Sequence, residues 1–259
     1  MDLKLNGKRA LVCGSTDGIG KASAILMAER GAAIVLMARN QVKLEKVREE
    51  LASQNNQNHK IICADFNDIP LLENVLSSEL SEPIDILVNN SGGPHGGPLI
   101  EADPEEFRIG FERLLVSNQV ITKAVVPSMQ TRGFGRIINI ISISVNQVIP
   151  GLGVSNTIRG AVSQWAKTLA LELGSDGITV NNVLPGYTAT NRLEELVEAK
   201  AEALDVSRDQ IKAEWAGSTT LRRLGEPIEI AKGVAFLASE CAGYINGYNL
   251  SIDGGRFGT

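Results

Sequence analysis

Gly14-Ser15-Thr16-Asp17-Gly18-Ile19-Gly20 stands between an apolar run and an amphipathic segment, the setting in which a backbone can cradle phosphate. Glycines there let the chain turn tightly and approach a pyrophosphate, while the free N–H groups of a helix N-terminus attract the anion. Roughly 20 residues on, Leu36-Met37-Ala38-Arg39-Asn40 closes the second apolar run with no carboxylate and one guanidinium. A carboxylate there would bond the 2′-hydroxyl of NAD. The planar fork of Arg39 suits a 2′-phosphate instead, so NADP(H) is expected over NAD(H). Ser155 and Arg159 form a second candidate pair, spaced one helical turn apart so that they share a face. Beside them runs the apolar stripe Ile158, Val162, Trp165, Leu169 and Leu173. Arg159 carries a fixed positive charge and Ser155 a hydroxyl far too weak to act as an acid near neutral pH. His95, in Gly93-Pro94-His95-Gly96-Gly97-Pro98, carries an imidazole, a side chain suited to acid–base work, and is a candidate proton donor. Its alternative is a solvated loop residue. Tyr187 is a second candidate donor, with a packing role as its alternative.

The elements that must position these groups alternate. Short apolar runs at Ala10–Cys13, Ala33–Ala38, Lys60–Ala64, Ile84–Val88, Gly135–Ile141, Thr179–Leu184 and Asn249–Ile252 read as strands covered on both faces. Helical patterns lie between them at Ile19–Arg30, Val42–Gln54, Ile69–Leu80, Pro104–Met129, Val154–Leu173 and Ile228–Ser239. This predicts one α/β domain over 1–259, a doubly wound Rossmann-type fold with a central parallel sheet of about seven strands. Asn191 to Gly217 is dense in charge and predicts one or two exposed helices.

The formal charge is −5 with acids and bases interspersed, and no basic stripe suggests nucleic acid or a membrane surface. No apolar run approaches the roughly 18–20 residues of a membrane span, and the charged N-terminus does not read as a signal peptide. Cys13, Cys63 and Cys241 are scattered in apolar contexts and predict buried free thiols in a reducing, cytoplasmic compartment. With two histidines, no metal site is expected.

These motifs together resemble the short-chain dehydrogenase/reductase family from end to end. The glycine loop, Asn89-Asn90-Ser91-Gly92, Pro185-Gly186 and Asp253-Gly254-Gly255 carry the resemblance. It implies that Asp65 and Phe66 line an adenine pocket, that Asn90, Ser91 and Gly92 border the cofactor, and that Thr188 and Thr190 lie near the nicotinamide. It also implies a homotetramer and a substrate lid around 191–217. The family's proton donor is the Tyr of a Tyr-x-x-x-Lys motif, and those two positions fall on Ser155 and Arg159. Ser142 keeps the family spacing for the residue that orients the carbonyl. The relay Asn position falls on Leu114, with Asn118 one helical turn further on. The Tyr-less helix, Asn89-Asn90-Ser91-Gly92-Gly93-Pro94 and Pro185 to Arg192 are similar to the olefin reductase of the bacilysin pathway, which also lacks this Tyr. The resemblance implies NADP(H)-dependent reduction of a carbonyl or an activated C=C, where an enolate can take its proton from solvent. The alternative is a cofactor-binding protein that has lost catalysis.

Overall fold

Continuous apolar strands need cover on both faces, and in the computed structural model helices supply it. It describes residues 2–54 and 56–257. The strands are Arg9–Cys13 (β1), Ala33–Ala38 (β2), Lys60–Cys63 (β3), Ile86–Asn89 (β4), Gly135–Ile140 (β5), Ile178–Pro185 (β6) and Asn249–Ile252 (β7). All pair in parallel, in the order β3-β2-β1-β4-β5-β6-β7. The order reverses between β1 and β4, and such a reversal opens a crevice at the carboxyl ends of the strands.

Alternate residues of each strand feed opposite core layers. Ala10 and Val12 pack with helices Gly18–Glu29 (α1), Gln41–Glu50 (α2) and Pro227–Ala238 (α9). Leu11 and Cys13 face the other way, toward Ile69–Glu79 (α3), Ser117–Arg132 (α5) and Gly153–Leu173 (α6). Helix α2 ends at Glu50, short of the expected Gln54. The single helix expected over Pro104–Met129 is instead two, Pro104–Phe111 (α4) and α5, joined by a wider turn over Glu112–Val116. That turn buries Leu114 in the core beneath the cleft, and Asn118 is buried as well.

A row of four asparagines crosses the sheet. Asn89, Asn139, Asn182 and Asn249 are in register on β4 to β7. Asn89 Nδ2 donates to Asn139 Oδ1 at 2.9 Å, Asn139 Nδ2 to Asn182 Oδ1 at 2.9 Å, and Asn182 Nδ2 to Asn249 Oδ1 at 2.7 Å. Each amide N–H thus satisfies the carbonyl oxygen of the next side chain in the row, and Asn89 Oδ1 at the β4 end has no partner among the described residues.

The cysteine expectation needs correcting. Cys13 is buried, and burial pushes its thiol up to about 12. Cys63 and Cys241 are exposed. Cys63 ends the edge strand β3. Among the described residues no helix is long and apolar enough to cross a membrane.

The charged stretch folds as two helices, Asn191–Leu204 (α7) and Arg208–Gly217 (α8). Leu193, Val197, Ala201, Ile211 and Trp215 close a small core between them, with Tyr187 packed against it. Their outer faces carry the charge: Arg208 meets Glu194 and Glu198, and Lys212 meets Glu194.

Candidate functional site

Gly14 leaves β1 with φ +57°, and a Cβ on it would sit 2.6 Å from the Asn90 carbonyl oxygen. Only glycine allows that approach and that left-handed turn together. Gly20 packs as closely on the Gly14 carbonyl, so its role is to seat α1 against the loop. The Asn90 side chain donates to the Cys13 and Gly14 carbonyls, both at 3.3 Å, and pins the loop from the β4 side. Buried Ser15 ties it to β2, its Oγ donating to the Met37 carbonyl at 3.4 Å. Asp17 precedes α1 without capping it by its side chain, so among the described residues no capping side chain takes up the first-turn N–H groups. This is the donor set a pyrophosphate needs.

Beyond the loop lies a cleft of about 320 Å³. Gly14, Asp17, Gly18 and Ile19 line it, with Asn90, Ser91 and Gly92 beside them. Ser142, Ser155 and Arg159 form a second wall, and Pro185, Gly186, Tyr187, Thr188 and Thr190 a third. Ile143, Ile149, Leu152, Leu193 and Leu196 give the cleft an apolar side. Gly92 opens onto free space, since a Cβ there would meet nothing within 4 Å.

The two serines are prepared in the same way. Ser142 Oγ accepts from the Ser144 N–H at 3.1 Å, and Ser155 Oγ accepts from Arg159 Nε at 3.2 Å. With a lone pair of each engaged, each hydroxyl retains its proton for an oxygen in the cleft. Arg159 Nη1 donates to the Ile141 carbonyl at 2.8 Å and to the Ile140 carbonyl at 3.3 Å, which fastens the guanidinium to the end of β5. Burial pulls Arg159 down to about 10, and the nearby Arg192 charge adds to the effect. It remains a cation at neutral pH.

Thr188 and Thr190 use their hydroxyls within the backbone turn. Thr188 Oγ1 donates to the Gly186 carbonyl at 3.1 Å, while Thr190 accepts from Leu193 N–H as the cap of α7. Tyr187 stacks on Trp215, ring centroids 4.4 Å apart and planes 8° from parallel, so its packing role is realised while one side still faces the cleft.

The remaining sequence candidates lie elsewhere. His95 is exposed and does not line the cleft, while its buried neighbour Pro94 does. Ser15, Thr16 and Gly20 stand behind the loop's cleft face. Arg39 is exposed directly after β2 and makes no ion pair or side-chain hydrogen bond among the described residues. Asp65 closes a turn after β3, accepting from Asn67 N–H at 3.0 Å, and Phe66 packs on the core beneath it. Arg39, Asp65 and Phe66 thus sit together at the carboxyl ends of β2 and β3, beside the glycine loop but outside the cleft lining.

Sequence reasoning overlooked Arg192 and Arg256, which also line the cleft. Arg192 Nη2 donates to the Pro94 carbonyl at 2.6 Å, and its α7 neighbour Asn191 donates to Asp17 Oδ2 at 2.7 Å. Two consecutive side chains therefore fasten α7 to loops on the far side of the cleft. Neither has a motif-level signal. Their partners are remote in sequence and meet them only in the folded chain.

A parallel sheet with a glycine loop at its switch point and a cleft beyond it defines a dinucleotide-binding Rossmann protein. Residues 14–256 match the family described as Enoyl-(Acyl carrier protein) reductase. The 3-oxoacyl-(acyl-carrier-protein) reductase FabG of Haemophilus influenzae is 36% identical over 255 residues, covering 98% of this chain and 99% of that protein. The NADPH-dependent reductase BacG of Bacillus subtilis is 28% identical, covering 97% and 98%. Among solved structures, L-sorbose reductase from Gluconobacter frateurii, complexed with NADPH and L-sorbose, superposes with a TM-score of 0.92 at 30% identity, covering both chains fully. YwfH, an NADPH-dependent reductase involved in bacilysin biosynthesis, superposes with a TM-score of 0.90 at 27% identity, covering 97% of this chain and 99% of the other. The chain belongs to the short-chain dehydrogenase/reductase family, whose members are NAD(P)-dependent oxidoreductases.

Proposed function

We propose that the protein is an NADP(H)-dependent reductase of an activated C=C bond in a small organic substrate, working without the family's tyrosine acid. The pairing of Ser142 and Ser155 as two proton-retaining hydroxyls on one cleft wall carries this reading. Both can donate hydrogen bonds to an oxygen that gains negative charge. Neither can surrender a proton to it near neutral pH.

The residues present fit the cofactor. The α1 N-terminus and glycine loop would hold the pyrophosphate. Arg39 would meet a 2′-phosphate, with Asp65 and Phe66 beside the adenine. Thr188, Thr190 and Asn90 hold backbone around the cleft, so their contribution is to shape it. Bound nicotinamide would supply hydride to the β-carbon of an enone. Ser142 and Ser155 would donate to the carbonyl oxygen and stabilise the negative charge it gains. Arg159 orients the Ser155 hydroxyl and lends it positive charge. The α-carbon then takes a proton from water, so an enolate needs no phenol here, whereas an alkoxide from a ketone does.

Helices α7 and α8 act as the substrate lid, with Asn191 and Arg192 as the latches. BacG, described as NADPH-dependent, and the NADPH complex of L-sorbose reductase support the cofactor assignment.

The test joins a fluorescence titration with NADPH and NADH to a turnover screen of conjugated enones, quinones and saturated ketones. Tighter NADPH binding and turnover of enones are expected. Equal affinities would remove the Arg39 assignment, and absence of any turnover would favour a binding protein without catalysis.

A further inference from the structure

Arg256 reaches the cleft on a purpose-shaped turn. Gly254 and Gly255 take φ of +65° and +73°, and a Cβ on Gly255 would lie 2.1 Å from Thr220 Oγ1. Asp253 organises the turn with both carboxylate oxygens, accepting from the Gly255 and Phe257 N–H groups, each at 3.0 Å. Thr220 Oγ1 donates to the Gly254 carbonyl at 2.9 Å from the segment after α8. The guanidinium delivered this way lies 4.0 Å over the Tyr187 ring, which in turn stacks on Trp215 of the lid.

One end of that guanidinium is unsatisfied. Arg256 Nη1 is buried and has no hydrogen-bond partner among the described residues. A buried guanidinium donor left unpaired is costly, so its persistence on a cleft wall points to a ligand that completes it. The other guanidinia are already engaged, Arg159 by Ser155 and two carbonyls, Arg192 by Pro94 and Glu195. Asp17 is the carboxylate among the lining residues, and Asn191 holds it at the glycine-loop end. Both carboxylate oxygens of Asp253, in the same turn, are engaged by backbone N–H groups, and no acidic residue lines the cleft at the Arg256 end, where Leu193 and Leu196 supply apolar side chains.

We propose that Arg256 is the anion anchor of the substrate site, so that the physiological substrate is an unsaturated carboxylic acid with an apolar body. The planar fork of Arg256 grips the carboxylate, Tyr187 backs the guanidinium, and the Leu193–Leu196 side takes the apolar part. This assignment of substrate class rests on the reductase reading above, but the anion site itself can be tested apart from it.

The probes are cinnamate, which is a conjugated carboxylate, and cinnamamide, its neutral isostere. Binding is read by tryptophan fluorescence, to which Trp215 beneath Tyr187 reports, with and without saturating NADPH. Cinnamate should bind more tightly than cinnamamide. Arg256→Met should weaken cinnamate by at least about tenfold, the loss expected for one charge-assisted bond. NADPH affinity should be unchanged, which also certifies the fold. Arg256→Lys keeps the charge without the fork and should fall between. The proposal is overturned if cinnamate binds under neither condition, if cinnamamide binds equally well, or if Arg256→Met weakens NADPH and spares cinnamate. Failure of the reductase reading looks different: cinnamate binding then persists while NADPH neither binds nor is consumed.

Discussion

Arg159 Nε donates to Ser155 Oγ across 3.2 Å, one helical turn along α6, while its Nη1 holds the end of β5. The contact makes the serine an acceptor from the cation and so leaves its O–H available as a donor. A Tyr and Lys in these places would make an acid. The Ser and Arg here make a charge-backed hydrogen-bond donor.

Installing a tyrosine acid is the first prediction. Ser155→Tyr combined with Arg159→Lys should raise reduction of saturated ketones by about a hundredfold over the wild type, the lower range for an added general acid. The gain is measured as NADPH oxidation with a ketone panel. No gain, with NADPH affinity intact, would mean that the cleft fails to place a carbonyl beside position 155.

Cofactor preference should reside in one side chain. Arg39 is exposed and has no protein partner among the described residues, so Arg39→Glu should lose about 10–100-fold in NADPH affinity. NADH affinity should hold or improve, because a carboxylate there can meet the ribose hydroxyl. Isothermal titration with both cofactors measures the change.

How much of this was legible in the sequence depends on how local the signal is. The strands Ala33–Ala38 and Asn249–Ile252 were readable to the residue because each is a short run with turn-forming residues at its flanks. The glycine loop was readable because left-handed turns and close approaches demand glycine. The wider turn at Glu112–Val116 was not, since it preserves helical periodicity and merely shifts it. Arg192 and Arg256 were also invisible. Their roles come from Pro94 and Tyr187, which only tertiary folding brings near them. His95 misled for a related reason. Loop composition says that a residue can reach a cleft, but in the folded loop Pro94 lines it and His95 lies exposed outside it.

The latch should govern release. Asn191→Ala removes the bond to Asp17 at 2.7 Å and leaves that carboxylate uncompensated beside the phosphate loop. NADPH should dissociate roughly 2–10-fold faster, the worth of one modest hydrogen bond. Stopped-flow fluorescence reads this directly, and an unchanged rate would detach α7 from cofactor release.

The asparagine row should matter for stability more than for chemistry. Asn139→Leu strands the Asn89 amide and the Asn182 carbonyl oxygen in a buried layer. At about 1–3 kcal/mol for each orphaned group, the loss should total roughly 2–6 kcal/mol in urea unfolding. A loss below 1 kcal/mol would imply that neighbouring groups repair the gap.

The most direct measurement follows the hydride. Turnover of a conjugated enone with NADPH deuterated at the transferable position should place deuterium on the β-carbon and leave the carbonyl intact, with the α-carbon proton drawn from water. Deuterium on the carbonyl carbon of an alcohol product would contradict the account, because it would require an acid that Ser142 and Ser155 do not provide.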